Sequence, residues 1–174
     1  MKSNLYLPLF CTLIFFAGCK KSKIKKQFAG KWEVTTMYSD ETNFLLIKQK
    51  GELKLNGCDT IHFERQQILK SEITFNDEGN YIRVSNITIK YIDTAASRIQ
   101  CAAVYGDSLL NSTEEGTWLF EGKETVELLA SNNNYEGNKL ITISNNEMEW
   151  RTDLTVEQGF LVFKGLKTTK FIKR

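Results

Sequence analysis

Only one histidine, His62, is available for proton transfer or metal ligation, and it stands between Ile61 and Phe63 in a strand-like stretch. Protein zinc sites draw on several histidine, cysteine or carboxylate ligands, and no second histidine exists to share one. A histidine-based nucleophilic triad would have to use the same residue, yet no nucleophile-elbow sequence accompanies it. No glycine loop has the spacing that cradles phosphate. Two carboxylate pairs, Glu114-Glu115 and Glu147 with Glu149, have the residue types for acid and base work. Both fall in turns or on the polar face of a strand, which predicts solvated surface. The residue types therefore point to no catalytic residue, no bound metal and no cofactor.

The remaining chemistry belongs to the four cysteines, and the start of the chain decides how they are used. Met1 to Asn4 carries one positive charge, Lys2, and Leu5 to Phe16 is apolar except for Pro8 and Thr12. That is the length of a signal-peptide core, short of the roughly 20 apolar residues of a membrane-spanning helix. One reading is an ordinary secretory signal. Phe16-Ala17-Gly18-Cys19, however, resembles the lipobox of bacterial lipoproteins: an apolar residue, two small ones, then cysteine. The resemblance implies that residues 1–18 are a signal peptide. Cys19 then carries acyl chains such as palmitate and becomes the first mature residue, with the membrane as its partner. Several chains matter, because one gives only marginal, reversible binding.

Residues 19–27 then form a lipidated basic tether, with five lysines in Lys20-Lys21-Ser22-Lys23-Ile24-Lys25-Lys26. Lacking aromatics and apolar periodicity, the lysine run is expected to be solvated. It is drawn to anionic headgroups by about 1 kcal/mol per lysine. In the lipoprotein family an aspartate after the cysteine retains a protein in the inner membrane, and an acidic cluster directs surface display. Lys20 and a basic run imply instead an outer-membrane anchor with the domain facing the periplasm. Setting Lys2 and the tether lysines aside from the chain's 23 basic residues leaves 17 against 21 acidic ones, so residues 27–174 are mildly acidic. That balance argues against a nucleic-acid partner, since a binder should carry its basic excess on the folded domain. With Cys11 removed and Cys19 lipidated, Cys58 and Cys101 remain in an oxidising compartment. They either pair, closing a loop of about 40 residues at a gain of about 3–4 kcal/mol, or stay as two buried thiols.

Residues 28–174 hold no proline, linker or repeat, and read as one domain of short alternating segments. Trp32, Val34 and Thr36 share a face, as do Leu53 and Leu55. Asn76-Asp77-Glu78-Gly79-Asn80 reads as a hairpin turn between Ile73/Phe75 and the next strand. That strand begins with Ile82 and Val84 on one face and continues with Ile87, Ile89 and Tyr91 on the other. The parity change near Ser85-Asn86 predicts a bulge or bend. Ile99, Cys101, Ala103 and Tyr105 would share a face of another strand, with Cys101 inward. Trp118 and Phe120, Val126 and Leu128, Ile141 and Ile143, and Met148, Trp150, Thr152 and Leu154 mark further strands, with a polar loop at Ser131 to Asn138. Phe160 to Phe163 opens the last. The expectation is an all-β chain of about eight to ten antiparallel strands, closed as an up-and-down barrel, and no amphipathic helix.

At this point the pattern resembles the lipocalin-like lipoproteins of Gram-negative bacteria. Gly30-Lys31-Trp32 stands where the Gly-x-Trp motif opens the first strand of lipocalins. Phe75 to Tyr81 resembles their early hairpin, and Gly116-Thr117-Trp118 a mid-domain strand start. The resemblance implies that Gly30 and Trp32 close the barrel bottom and that Trp32 packs against a basic side chain of the last strand. Lys170 and Arg174 are the candidates, and Arg151 comes too early.

Two functions follow. One is a barrel that holds a small apolar ligand, its lining unknown. The other is a filled barrel that recruits an envelope protein through its rim. Trp32, Phe75, Trp118, Trp150 and Phe160 decide between them. Convergence at one level favours a filled interior, and a cavity of about 300 Å³ or more lined by them favours a ligand.

Overall fold

A computed structural model describes residues 24–39, 42–122, 124–158 and 161–174 of the chain. Cys19, the signal peptide and Phe160 lie outside the described residues.

Among the described residues, ten strands and two short helices follow one another. A helical turn at residues 24–28 (α1) leads into β1 (Gly30–Ser39), β2 (Thr42–Asn43), β3 (Leu46–Leu53), β4 (Ile61–Phe75) and β5 (Asn80–Ile92). After α2 (Thr94–Gln100) come β6 (Tyr105–Glu121), β7 (Thr125–Ala130), β8 (Tyr135–Ile143), β9 (Glu147–Gln158) and β10 (Leu161–Lys173). All neighbours are antiparallel, in the order β2-β1-β10-β9-β8-β7-β6-β5-β4-β3. Pairing of Gly30 to Glu33 with Phe75 to Glu72 then joins β1 to β4, closing eight strands into the expected antiparallel barrel.

The lower end of the barrel is filled by aromatic rings. Trp32, Phe75, Tyr81, Trp118, Trp150 and Phe171 turn inward with Ile73, Val126, Leu128, Leu140 and Met148, all buried. At the centre is Phe28, fully buried at the end of α1, 4.4 Å from Phe75, 5.0 Å from Trp118 and 5.2 Å from Phe120 between ring centroids. The end of the lysine run is thus helical from residue 24, with Lys25 standing 5.7 Å over the Trp118 ring. Phe28 supplies the reason: its ring fills the barrel end, so residues 24–27 are carried onto the protein surface.

Several other elements differ from expectation. Both registers of β5 run without a shift, so no bulge exists at Ser85-Asn86. Ile82 and Val84 simply face outward, 45% and 37% exposed, while Arg83 and Ser85 point in. The bulges lie instead in β1 between Val34 and Thr36, and in β8 between Leu140 and Thr142. Residues 94–100 are helical, capped by the Asp93 carboxylate on the Ala96 N–H, and Ile99 is 85% exposed. Cys101 is therefore the left-handed residue after α2 and not an inward strand position. It forms a disulfide with Cys58.

Beyond the closed part, the first half of β4 and the last of β5 rise with β3 and the start of β6 as a standing four-stranded sheet. β3 pairs with Ile61 to Ile68, and β5 with β6 as far as Ile92 opposite Tyr105. The disulfide ties the β3–β4 connection to the end of α2 at the far end of this sheet.

Replacing Phe28 with alanine empties the centre of the aromatic layer and should cost about 3–5 kcal/mol, read as a lower urea midpoint at unchanged slope. A midpoint within error of the parent would show that the ring is not part of the core.

Candidate functional site: a polar layer above an aromatic floor

Trp32 seals the floor. Its indole N–H donates to the Phe28 carbonyl at 2.7 Å, satisfying one of the orphan acceptors at the end of α1. Gly30, at φ +127, lets the chain enter β1 beneath the Lys173 side chain, where a Cβ would lie 2.6 Å from Cε. The basic partner of Trp32 is this Lys173, its ammonium 5.1 Å over the indole ring while donating to the Gln27 carbonyl at 3.0 Å. Neither expected candidate takes that place: Lys170 pairs with Glu149 and Arg174 with Glu33. Alternation explains it, because Lys170 and Arg174 have the opposite parity along β10.

Above the floor the interior turns polar. Arg83 on β5 reaches Glu136 on β8 at 3.1 Å and Glu114 on β6 at 3.5 Å. The Tyr81 hydroxyl donates to Glu114 at 2.8 Å. Thr152 donates to the carbonyl oxygen of the fully buried Asn138 side chain, and the Ser71 and Ser85 hydroxyls share a bond at 2.9 Å. Burial pushes the Glu136 carboxyl up, but the charges of Arg83 and Lys167 and hydrogen bonds from Arg83 and Asn138 outweigh it and hold the group below the ordinary carboxylate range. Burial, then the hydrogen bond and charge of Glu114, push the Tyr81 phenol well above its usual value, so it stays a donor. Arg83 stays charged, its burial overcome by the two carboxylates. A buried charge is tolerated when it is paired and hydrogen-bonded, and this one is.

A cavity of about 180 Å³ adjoins this layer. Its lining is half apolar, with Val34, Met37 and Leu69 among others, and half polar, including Arg83, Glu136 and Lys167. That volume falls below the roughly 300–1,000 Å³ typical of small-molecule pockets.

Of the inward set that decides between the two functions, Trp32, Phe75, Trp118 and Trp150 converge at one level around Phe28. Glu114 is a correction, since it faces the interior and not solvent; Glu115, next to it, is exposed. The polar loop is only residues 131–134, and β8 begins at Tyr135, placing Glu136 and Asn138 inside. Their alternation with Gly137 and Lys139 was the available signal. His62 lies on the outer face of the standing sheet, 75% exposed and 3.5 Å from Glu52. Among the described residues no three His, Cys, Asp or Glu side chains gather to hold a metal. No family model, no curated protein and no solved structure matches this chain.

Arg83→Met strands two inward carboxylates and should cost about 3–5 kcal/mol at neutral pH. In the parent, the depressed Glu136 contributes stability above the unfolded carboxylate range that is lost as pH falls through its folded value. Without Arg83 the folded carboxyl moves up, so acid favours folding, and the deficit of the variant should shrink toward pH 4. Denaturant titrations across pH check this, and a deficit that stays constant would remove Glu136 from the account.

Proposed function

We propose that this chain is a lipid-anchored protein of the cell envelope whose filled barrel is a scaffold, working through the standing sheet by recruiting another envelope protein. The convergence of Phe28, Trp32, Phe75, Trp118 and Trp150 at one level carries the reading, because it leaves the barrel floor without space for a ligand. The polar layer supports it, since Arg83, Glu114 and Glu136 satisfy one another and ask for no guest. The anchor rests on the lipobox-like Phe16-Ala17-Gly18-Cys19, and the outer membrane, with the domain facing the periplasm, on the basic run after it. One observation favours a second reading, in which the barrel is a carrier: the cavity of about 180 Å³ has apolar walls beside Arg83 and Lys167, room for a small ligand with a polar group.

Two measurements test this. Cells fed a palmitate analogue should label the chain, and Cys19→Ser should abolish the label; a label that survives would place the lipid elsewhere. In a thermal screen with fatty acids, quinones, sterols and small carboxylates, the melting point should stay put. A saturable rise of several degrees would establish the carrier instead, because a ligand at 100 times its Kd adds about 2.7 kcal/mol.

A further inference from the structure

The standing sheet has two open edges, and they are not alike. β3 exposes Lys48 and Lys50, the charged blunting that keeps an edge strand from pairing with a stranger. β6 pairs with β5 over its whole upper length without a register shift, but β7 joins its other side only from Gly116 onward. From Tyr105 to Glu115 its outer side has no strand partner among the described residues. No lysine, proline or bulge interrupts that stretch.

The direction of its backbone groups can be read from three bonds. Val104 and Trp118 bond toward the β5 side, through the Val104 carbonyl to Asp93 and the Trp118 N–H to Gly79, whereas the Glu115 carbonyl accepts from Ser131 on the other side. Strand groups alternate, so Tyr105, Asp107, Leu109, Asn111 and Thr113 present their N–H and C=O outward. At the middle stand Leu109 and Leu110, 61% and 53% exposed, one on each face of the sheet.

We propose that the outer edge of β6 is where a second copy of this chain docks, antiparallel, with Leu110 opposite the partner's Leu110, making one continuous eight-stranded sheet from two standing sheets. In that register Leu109 faces the partner's Asn111, Ser108 the partner's Ser112 and Asp107 the partner's Thr113. No like charges meet, and the outward groups of the odd-numbered residues face one another. The two-fold axis keeps each face of the sheet on its own side, so both Leu110 side chains lie together beside the Ile87 side chains across the β5–β6 ladder. This rests on the reading of the standing sheet as the working surface of a filled barrel, and the ligand screen tests the filled barrel whatever the oligomeric state.

Native mass spectrometry of the full chain in mild detergent should show a dimer. Asn111→Pro removes an N–H that points away from β5 and should give monomer with unchanged unfolding; Leu109→Lys, copying the blunting of β3, gives the same answer should proline disturb the strand. Under oxidation Leu110→Cys should form an intermolecular disulfide beyond the parent level. Leu129→Cys, exposed on the doubly paired β7, should not. A monomeric parent, a dimer untouched by Asn111→Pro and Leu109→Lys, or open-ended oligomers built from β3 against β6 would each overturn the proposal.

Discussion

The structure depends on a single ring in a confined place. Closing eight strands leaves an end that side chains must fill, and Phe28 fills it from outside the barrel wall, held by the indole of Trp32 on its own carbonyl. This one contact joins α1 to β1, and β1 is the strand that closes the sheet between β10 and β4. Phe75, Trp118 and Trp150 pack on the ring from three further strands, so strand order and end closure are solved by the same layer.

What lies above that layer is set by it. A dry aromatic floor makes charge expensive, yet Arg83 stands just over it, drawing Glu114 and Glu136 inward from two strands that are not neighbours. The link spans the interior from β5 to β8 where hydrogen-bonded ladders cannot. Such a group adds little net stability compared with apolar packing, but its loss is severe, which ties the strands on either side to one arrangement.

Much of this was legible in the sequence where one face is apolar and the other polar. Met148, Trp150 and Thr152 announced β9, and the Gly79 hairpin, φ +96, announced itself by its turn residues. Legibility failed where the inside is polar. Glu136 and Asn138 look like loop residues because a barrel interior that holds ions inverts the pattern on which strand reading relies. Ile82 and Val84 failed for the mirror reason, being apolar and outward. The Cys58–Cys101 pairing was one of two open choices, and Phe28 gave no sign beyond being the one aromatic between the lysines and Gly30.

The two ends of the described chain meet at the floor. The Arg174 N–H donates to the Lys31 carbonyl at 2.9 Å, a few residues from Phe28. The helical turn that carries Phe28 and the carboxyl-terminal strand therefore share one pole of the described structure. The disulfide-tied tips crown the opposite pole, so the described structure has a built-in polarity: one end closed by rings, the other by a covalent clasp.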